Sequence, residues 1–390
     1  MISIKFKNFL FLISLIVIFT TQFGYYKFNT SVSYIILLFW IIYSFFEFVF
    51  HRKKVDNISK TFLFYNFGIK VIIYLYTIIL IVLGLTEKRF FSSNLQTFIN
   101  GLSAILLFSC FGKKTLRLSL DAIYISWFIM AFSQLLVGRI YFEFHDIAFA
   151  LGFVFIVMFS NKYNNFRWYD YLMVIIIEIL AYKRIGLGAL LIVFFINLIL
   201  KLLKPKTQNM LLNIISLLYI VASFSFIFLV TSGKLWDIFD KFGIETSGRF
   251  YYYQIFIEKA KMSPSFLGLG RNSFAVLCTT DFSYMRVGNI HSDILRMYGE
   301  CGFILFIIWL LTYFIFIPFR LNRVVSFDAK RIFILCTFYL FIVYFTDNTE
   351  LYLITQYFYI LVCLNCVKIK SKSKKITFQY KNTPILKKRG

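Results

Sequence analysis

Apolar residues recur in long blocks at 9–24, 32–50, 62–85, 95–111, 118–138, 146–160, 171–182, 186–203, 211–230, 303–319, 332–346 and 351–367, separated by short polar loops. A helix crosses the roughly 30 Å hydrocarbon core of a bilayer in about 20 residues. Backbone groups in lipid must hydrogen-bond within their own segment, so each block predicts a helix, with 146–160 and 171–182 short for spans. The pattern predicts an all-α integral membrane protein of about 12 transmembrane helices, with a large helical loop, 231–301, between spans nine and ten. No repeat of fixed period interrupts this order.

Composition strengthens the reading. With 60% hydrophobic residues and a mean hydropathy of +0.76, the chain carries more apolar area than one aqueous globule can hide. Four prolines and the lack of a low-complexity linker predict one continuous domain over 1–367, followed by a basic tail, 368–390, too small to bury a core. The net charge of +24 would suggest nucleic acid in a soluble protein. Here the basic residues gather in loops, and no groove-reading module is present, so no nucleic-acid partner is expected.

Charge also predicts orientation. With the amino terminus inside, the inner loops and the tail hold about 27 Lys or Arg, against about six in the short outer loops, as the positive-inside rule requires. Both termini are then cytoplasmic and 231–301 faces outward. The first apolar block lacks a small-residue cleavage site and predicts a retained span. No Walker loop or dinucleotide fold is present, so nucleotide chemistry is not expected. The six cysteines add little: Cys363 and Cys366 form a C-x-x-C at a helix end without a second pair, whereas Cys278 and Cys301 both lie in the outer stretch and could pair if it faces an oxidising compartment.

The outer stretch holds the candidate chemistry. Ser247 is placed to cap a helix starting at Gly248-Arg249, with Phe250, Tyr253, Ile257 and Ala260 on one face and Gln254, Glu258 and Lys261 on another. Arginine in a first turn opposes the helix dipole unless an anion sits there, so Arg249 reads as a phosphate ligand. Ser263-Pro264 stops that helix, and Gly268 and Gly270 permit a sharp return before Arg271. The turn Tyr182-Lys183-Arg184 places two further cations on the basic-poor side, where Arg249, Arg271, Arg286 and Arg296 also lie. The bland alternative for Lys183 and Arg184 is an interfacial snorkelling pair.

His291 precedes the tenth span. The positive end of a helix dipole disfavours imidazolium, which leaves a neutral ring able to accept a proton. Asp293 and Glu300 are alternative bases or orienting groups, although Asp293 is also spaced to pair with Arg296 at i+3. The outer loop shows no HExxH, paired-Asp or Cys/His cluster, so neither a metal nor another cofactor is expected. Arginine would then carry the role of a divalent ion at a leaving diphosphate.

Ser247-Gly248-Arg249, the segment Ser263-Pro264-Ser265-Phe266-Leu267-Gly268-Leu269-Gly270, and the run from His291 to Gly302 resemble the signature of the O-antigen polymerase and O-antigen ligase superfamily. Tyr182-Lys183-Arg184-Ile185-Gly186 is similar to that family's Arg-Gly turn before a membrane helix. The strict likeness covers about 75 residues and the topology nearly the whole chain. Ser292 stands where many members have Asn, and Trp is absent from the aromatic residues after Arg249.

The resemblance implies a multi-pass protein of the bacterial cytoplasmic membrane that transfers glycosyl groups between undecaprenyl-diphosphate-linked oligosaccharides at the outer leaflet. Arg184, Arg249 and His291 match its functional arginines and histidine, whereas Arg271 has no assigned position. A polysaccharide polymerase for O-antigen or capsule is the first expectation and a ligase transferring glycan to lipid A core the second. Membrane lipids surround it, and a chain-length regulator and a flippase would be companions in such a pathway. A transporter or flippase of lipid-linked sugars is the alternative of another class. It would require paired ionisable residues deep in spans and broken helices, for which Lys70, Glu178, Glu47 and Asp121 are the visible candidates.

Overall fold

The computed structural model describes residues 4–22, 31–50, 57–88, 95–138, 144–160, 166–243, 249–282 and 289–367. Ser247, Gly248, Arg286 and the tail 368–390 lie outside these residues, as do parts of several loops used to predict orientation. Among the described residues the protein is all-helical, without a strand.

Each apolar block folds as a helix. In order these are α1 (Ile4–Thr21), α2 (Ser31–Phe50), α3 (Asn57–Phe62) continuing through a π-helical turn (Leu63–Phe67) into α4 (Gly68–Val82), α5 (Leu95–Phe111) and α6 (Lys114–Leu136). Next come α7 (His145–Ser160), α8 (Trp168–Leu180), α9 (Arg184–Leu202) and α10 (Pro205–Thr231). Three shorter helices, α11 (Lys234–Lys241), α12 (Arg249–Lys259) and α13 (Ser273–Thr279), form the polar stretch. Then α14 (Asp293–Leu311) runs through a second π-helical turn (Thr312–Phe316) into α15 (Ile317–Val324), and α16 (Phe327–Tyr344) and α17 (Leu353–Val367) close the chain.

Among the described residues, five helical segments are long and apolar enough to cross a membrane: Asn57–Val82, Lys114–Leu136, Arg184–Leu202, Pro205–Thr231 and Asp293–Val324. Several other apolar helices are shorter. Twelve spans were expected; these shorter helices fall short of the length a straight crossing needs. At 13 residues, α8 is only about 20 Å long.

Packing separates core from periphery. In α7, α16 and α17 the side chains are buried on nearly every face, and the three helices touch one another. A helix apolar all round belongs inside a bundle. Around them, α2, α9 and α10 turn apolar side chains such as Phe39, Leu202 and Leu217 outward, which water would penalise and lipid accommodates. This is the character of a helical membrane protein.

The tenth apolar block departs most from expectation. Helix starts at Asp293, well before residue 303, and the run is broken at Gly302, where φ is 74° and ψ 179°. The Gly268-Leu269-Gly270 return fills the break. Leu269 N–H donates to the Gly299 carbonyl and Gly270 N–H to that of Glu300, both at 2.9 Å, while Phe303 N–H donates to the Phe266 carbonyl at 2.9 Å. Backbone groups freed by the kink are therefore satisfied by the loop, as a buried break requires. The fit depends on glycine: a Cβ at Gly268 would lie 2.4 Å from Gly302 N, and one at Gly302 2.3 Å from the Leu267 carbonyl carbon.

Candidate functional site

Four elements converge beside the start of α14. The turn between α8 and α9 is tight because Tyr182 adopts φ 50°, so Arg184 N–H reaches the Tyr182 carbonyl at 3.1 Å. This geometry separates the two adjacent cations. Lys183 Nζ lies 3.6 Å from Asp347 Oδ2 and 6.0 Å from the Phe149 ring centre. Arg184 is exposed, its guanidinium 6.0 Å from the Tyr182 ring centre.

Arg249 is the first residue of α12, as the sequence predicted. On that helix Tyr253, Phe256 and Ala260 are buried and Ile257 is only partly so, since positions four and seven after Arg249 share its face. Tyr253 and Ala260 of the expected face are thus buried, with Phe256 beside them and Ile257 packed at the margin, while the side chain of Phe250 lies outside the described residues. Arg249 Nη2 donates to the Thr346 carbonyl at 3.4 Å, while its buried Nε has no hydrogen-bond partner among the described residues.

His291 stands just outside α14. Ser292 fixes it, with an extended backbone and a hydroxyl that donates to the Tyr344 carbonyl at 3.2 Å and accepts Leu295 N–H at 3.3 Å, capping the helix. The imidazole packs on Tyr252, ring centres 4.9 Å apart. Burial pushes its pKa down from the usual 6.5, and nearby Arg249 and Lys183 act in the same direction against Asp347, which pulls it up. Net depression keeps the ring neutral near pH 7.

Asp347 lies on the polar turn between α16 and α17. Its Oδ1 accepts Asn348 N–H at 2.8 Å and the Tyr352 hydroxyl at 2.9 Å. On the same turn the buried Thr346 Oγ1, Asn348 Oδ1 and Thr349 Oγ1 make no hydrogen bonds among the described residues. Such polar atoms have a large unmet demand for partners. The sequence reading missed Asp347 and Tyr252. The signal for the first is Thr346-Asp347-Asn348-Thr349-Glu350, a wholly polar run between two apolar blocks.

Arg271, Asp293 and Glu300, expected as a phosphate ligand and alternative bases, are committed elsewhere. Arg271 donates to Glu300 Oε2 at 2.9 Å and to Glu350 Oε2 at 2.5 Å. Arg296 donates to Asp293 Oδ1 at 2.5 Å and to Glu350 Oε2 at 2.7 Å, and Asp293 Oδ2 accepts Glu350 N–H at 2.7 Å. Lys70 Nζ completes the group 3.7 Å from Glu350 Oε1. All six side chains are buried, three cations against three carboxylates. A guanidinium already bridging two carboxylates has little left for an incoming anion, and the i+3 spacing of Asp293 and Arg296 is used for pairing. Cys278 and Cys301 are separate, buried thiols. Among the described residues no group of three or more His, Cys, Asp or Glu is arranged around a common metal position.

The arrangement at His291 therefore offers a neutral base, two cations with a free N–H, and a carboxylate able to stabilise imidazolium. No family model, curated protein or solved structure matches the chain, so the family likeness stands on Lys183-Arg184, Arg249, His291 and the glycine return.

Proposed function

We propose that the protein is a polysaccharide polymerase that joins polyprenyl-diphosphate-linked oligosaccharides at the outer leaflet of a bacterial cytoplasmic membrane. The observation carrying this reading is the convergence of Lys183, Arg249 and Asp347 on one half-buried histidine from elements distant in sequence.

The donor's diphosphate would lie against Lys183 and Arg249, with Arg249 Nε donating to it and exposed Arg184 reaching it from the rim. A hydroxyl of the acceptor sugar attacks the donor's anomeric carbon. As the new C–O bond forms, the bond to the diphosphate oxygen breaks and the leaving group takes the electron pair. Guanidinium and ammonium charge stabilises that oxygen. The hydroxyl proton passes to His291, and Asp347 offsets the imidazolium charge. The open polar atoms of Thr346, Asn348 and Thr349 suit sugar hydroxyls.

The test is extension of a defined undecaprenyl-diphosphate oligosaccharide by purified protein in liposomes, with and without lipid A core. Lengthening without the core acceptor is expected, and strict dependence on that acceptor would replace polymerase by ligase. His291→Ala should lower the rate about 10²–10⁴-fold and Arg249→Ala about 10²–10³-fold. Chelator should leave the wild type unchanged. Wild-type rates in both substitutions would remove the proposed catalyst.

Transport of lipid-linked sugars has one observation in its favour: the buried charge group beside a broken helix, a combination common in membrane carriers. Of the other candidates for that role, Glu47 pairs with Lys7 at 3.5 Å and Asp121 with Arg117, while Glu178 is buried in α8 with neither carboxylate oxygen hydrogen-bonded among the described residues. Movement of fluorescent lipid-linked sugar across the liposome bilayer without coupling of repeats would establish transport instead.

A further inference from the structure

At the end of α14–α15 remote from His291, a groove of about 960 Å³ opens between the α3–α4 helix and the Thr312–Arg320 stretch. It lies near the upper limit of the roughly 300–1,000 Å³ typical of ligand pockets. Its walls are mainly apolar, among them Leu63, Phe64, Ile72 and Phe316, while Lys60 and Arg320 line it together. The two helical runs are antiparallel in chain order, Lys60 meeting Arg320 at one end and Ile72 meeting Ile308 at the other, so both cations lie at the same end. Both are exposed, and neither has an ion-pair partner among the described residues.

Two features make this a built groove. Both walls contain a π-helical turn, Leu63–Phe67 on one side and Thr312–Phe316 on the other. The turns are joined by the Tyr313 hydroxyl, which donates to Asn66 Oδ1 at 2.6 Å. Widened turns displace side chains from the regular helical rows and recur at functional positions. At Gly68 the wall is also bare: a Cβ there would meet nothing within 4 Å.

The dimensions specify an occupant. From Lys60 to Ile72 the groove runs about 18 Å along the helix, slightly more than one leaflet's share of a roughly 30 Å hydrocarbon core. An apolar trough one leaflet long with two cations at one mouth, neither ion-paired among the described residues, complements a lipid with acyl chains and an anionic phosphate headgroup. We infer that this groove holds one anionic phospholipid, its phosphate between Lys60 and Arg320 and its chain along Leu63, Phe64 and Phe316, in the leaflet opposite the His291 site. The inference is independent of the reaction proposed at His291.

Native mass spectrometry of the full chain in detergent, titrated with phosphatidylglycerol or phosphatidylcholine, tests it. Wild type should retain phosphatidylglycerol about thirtyfold more tightly, the factor two basic side chains supply near an anionic lipid. Lys60→Gln/Arg320→Gln should reduce that preference to near unity. Gly68→Leu, which fills the trough but leaves both cations, should weaken retention of the phosphatidylglycerol. Equal retention of the two lipids by wild type would overturn the proposal without recourse to any variant. Unchanged phosphatidylglycerol binding in either the charge variant or Gly68→Leu would overturn it as well.

Discussion

In the proposed reaction His291 accepts a proton and so must be neutral, and its environment sets when that holds. Burial lowers its pKa, as do Arg249 and Lys183, while Asp347 raises it, so the acid limb of coupling activity should lie below the ordinary 6.5. The neighbours should move this acid limb in opposite directions. Asp347→Asn removes the raising charge and should shift it to lower pH, whereas Arg249→Gln or Lys183→Gln should shift it upward. Titration of the His291 ring by NMR reads the same shifts in protein without substrate. The depressed value also means that the unfolded chain binds this proton more tightly. Its contribution to stability is therefore present above about pH 6.5 and lost as pH falls through the folded value. Arg249 and His291 were legible because an arginine in a first turn and a histidine before an apolar run are local anomalies. Asp347 was not, since a carboxylate in a short polar turn is unremarkable until folding brings it to Lys183.

At the scale of elements, the glycine return and the kink in α14 form one unit. Tyr76 OH donates to the Leu267 carbonyl at 2.8 Å, Arg271 N–H to Thr77 Oγ1 at 2.8 Å, and Thr86 Oγ1 to the Leu269 carbonyl. The return is thereby tied to α4 as well as to α14. Gly268→Ala introduces a Cβ against backbone in a left-handed conformation, φ 85°, and should destabilise by about 2–4 kcal/mol in thermal or denaturant unfolding. Wild-type stability in that variant would show that the clasp does not form. The sequence signalled a sharp return at these glycines but not its partner, because the partner is a gap in a helix that local hydropathy reads as intact. In α12 the helical period was enough to place Tyr253 and Ala260 on the buried side, while burial of Ile255 and Phe256 beside them is decided by docking.

For the whole molecule, the main electrostatic feature is the group of Lys70, Arg271, Asp293, Arg296, Glu300 and Glu350, which joins α4, the glycine return, α14 and the α16–α17 turn. Burial opposes ionisation of Glu350, yet Arg271, Arg296 and Lys70 hold its carboxyl below the usual carboxylate range. Its contribution to stability is therefore present above the unfolded carboxylate value and disappears as pH falls through the folded one. Glu350→Gln leaves two arginines short of countercharge in the interior and should cost about 3–5 kcal/mol. Urea unfolding of wild type and variant at pH 7 measures this difference, and a change within 0.5 kcal/mol, the range of ordinary surface substitutions, would place the group in water.

Sequence by itself determined the helical class, the order and approximate position of the apolar helices, though not the early start and break of α14, and a polar segment holding Arg249 and His291. These follow from local rules, since hydropathy and helical period act over neighbouring residues. Tertiary structure alone decided which charges are spent and which are free. Arg271, Asp293 and Glu300 neutralise one another in the interior, while Lys183 and Arg249 meet His291 and Asp347 at its edge. A charge's role depends on the partners within a few ångströms of it, and in this bundle those partners come from segments far apart in the chain.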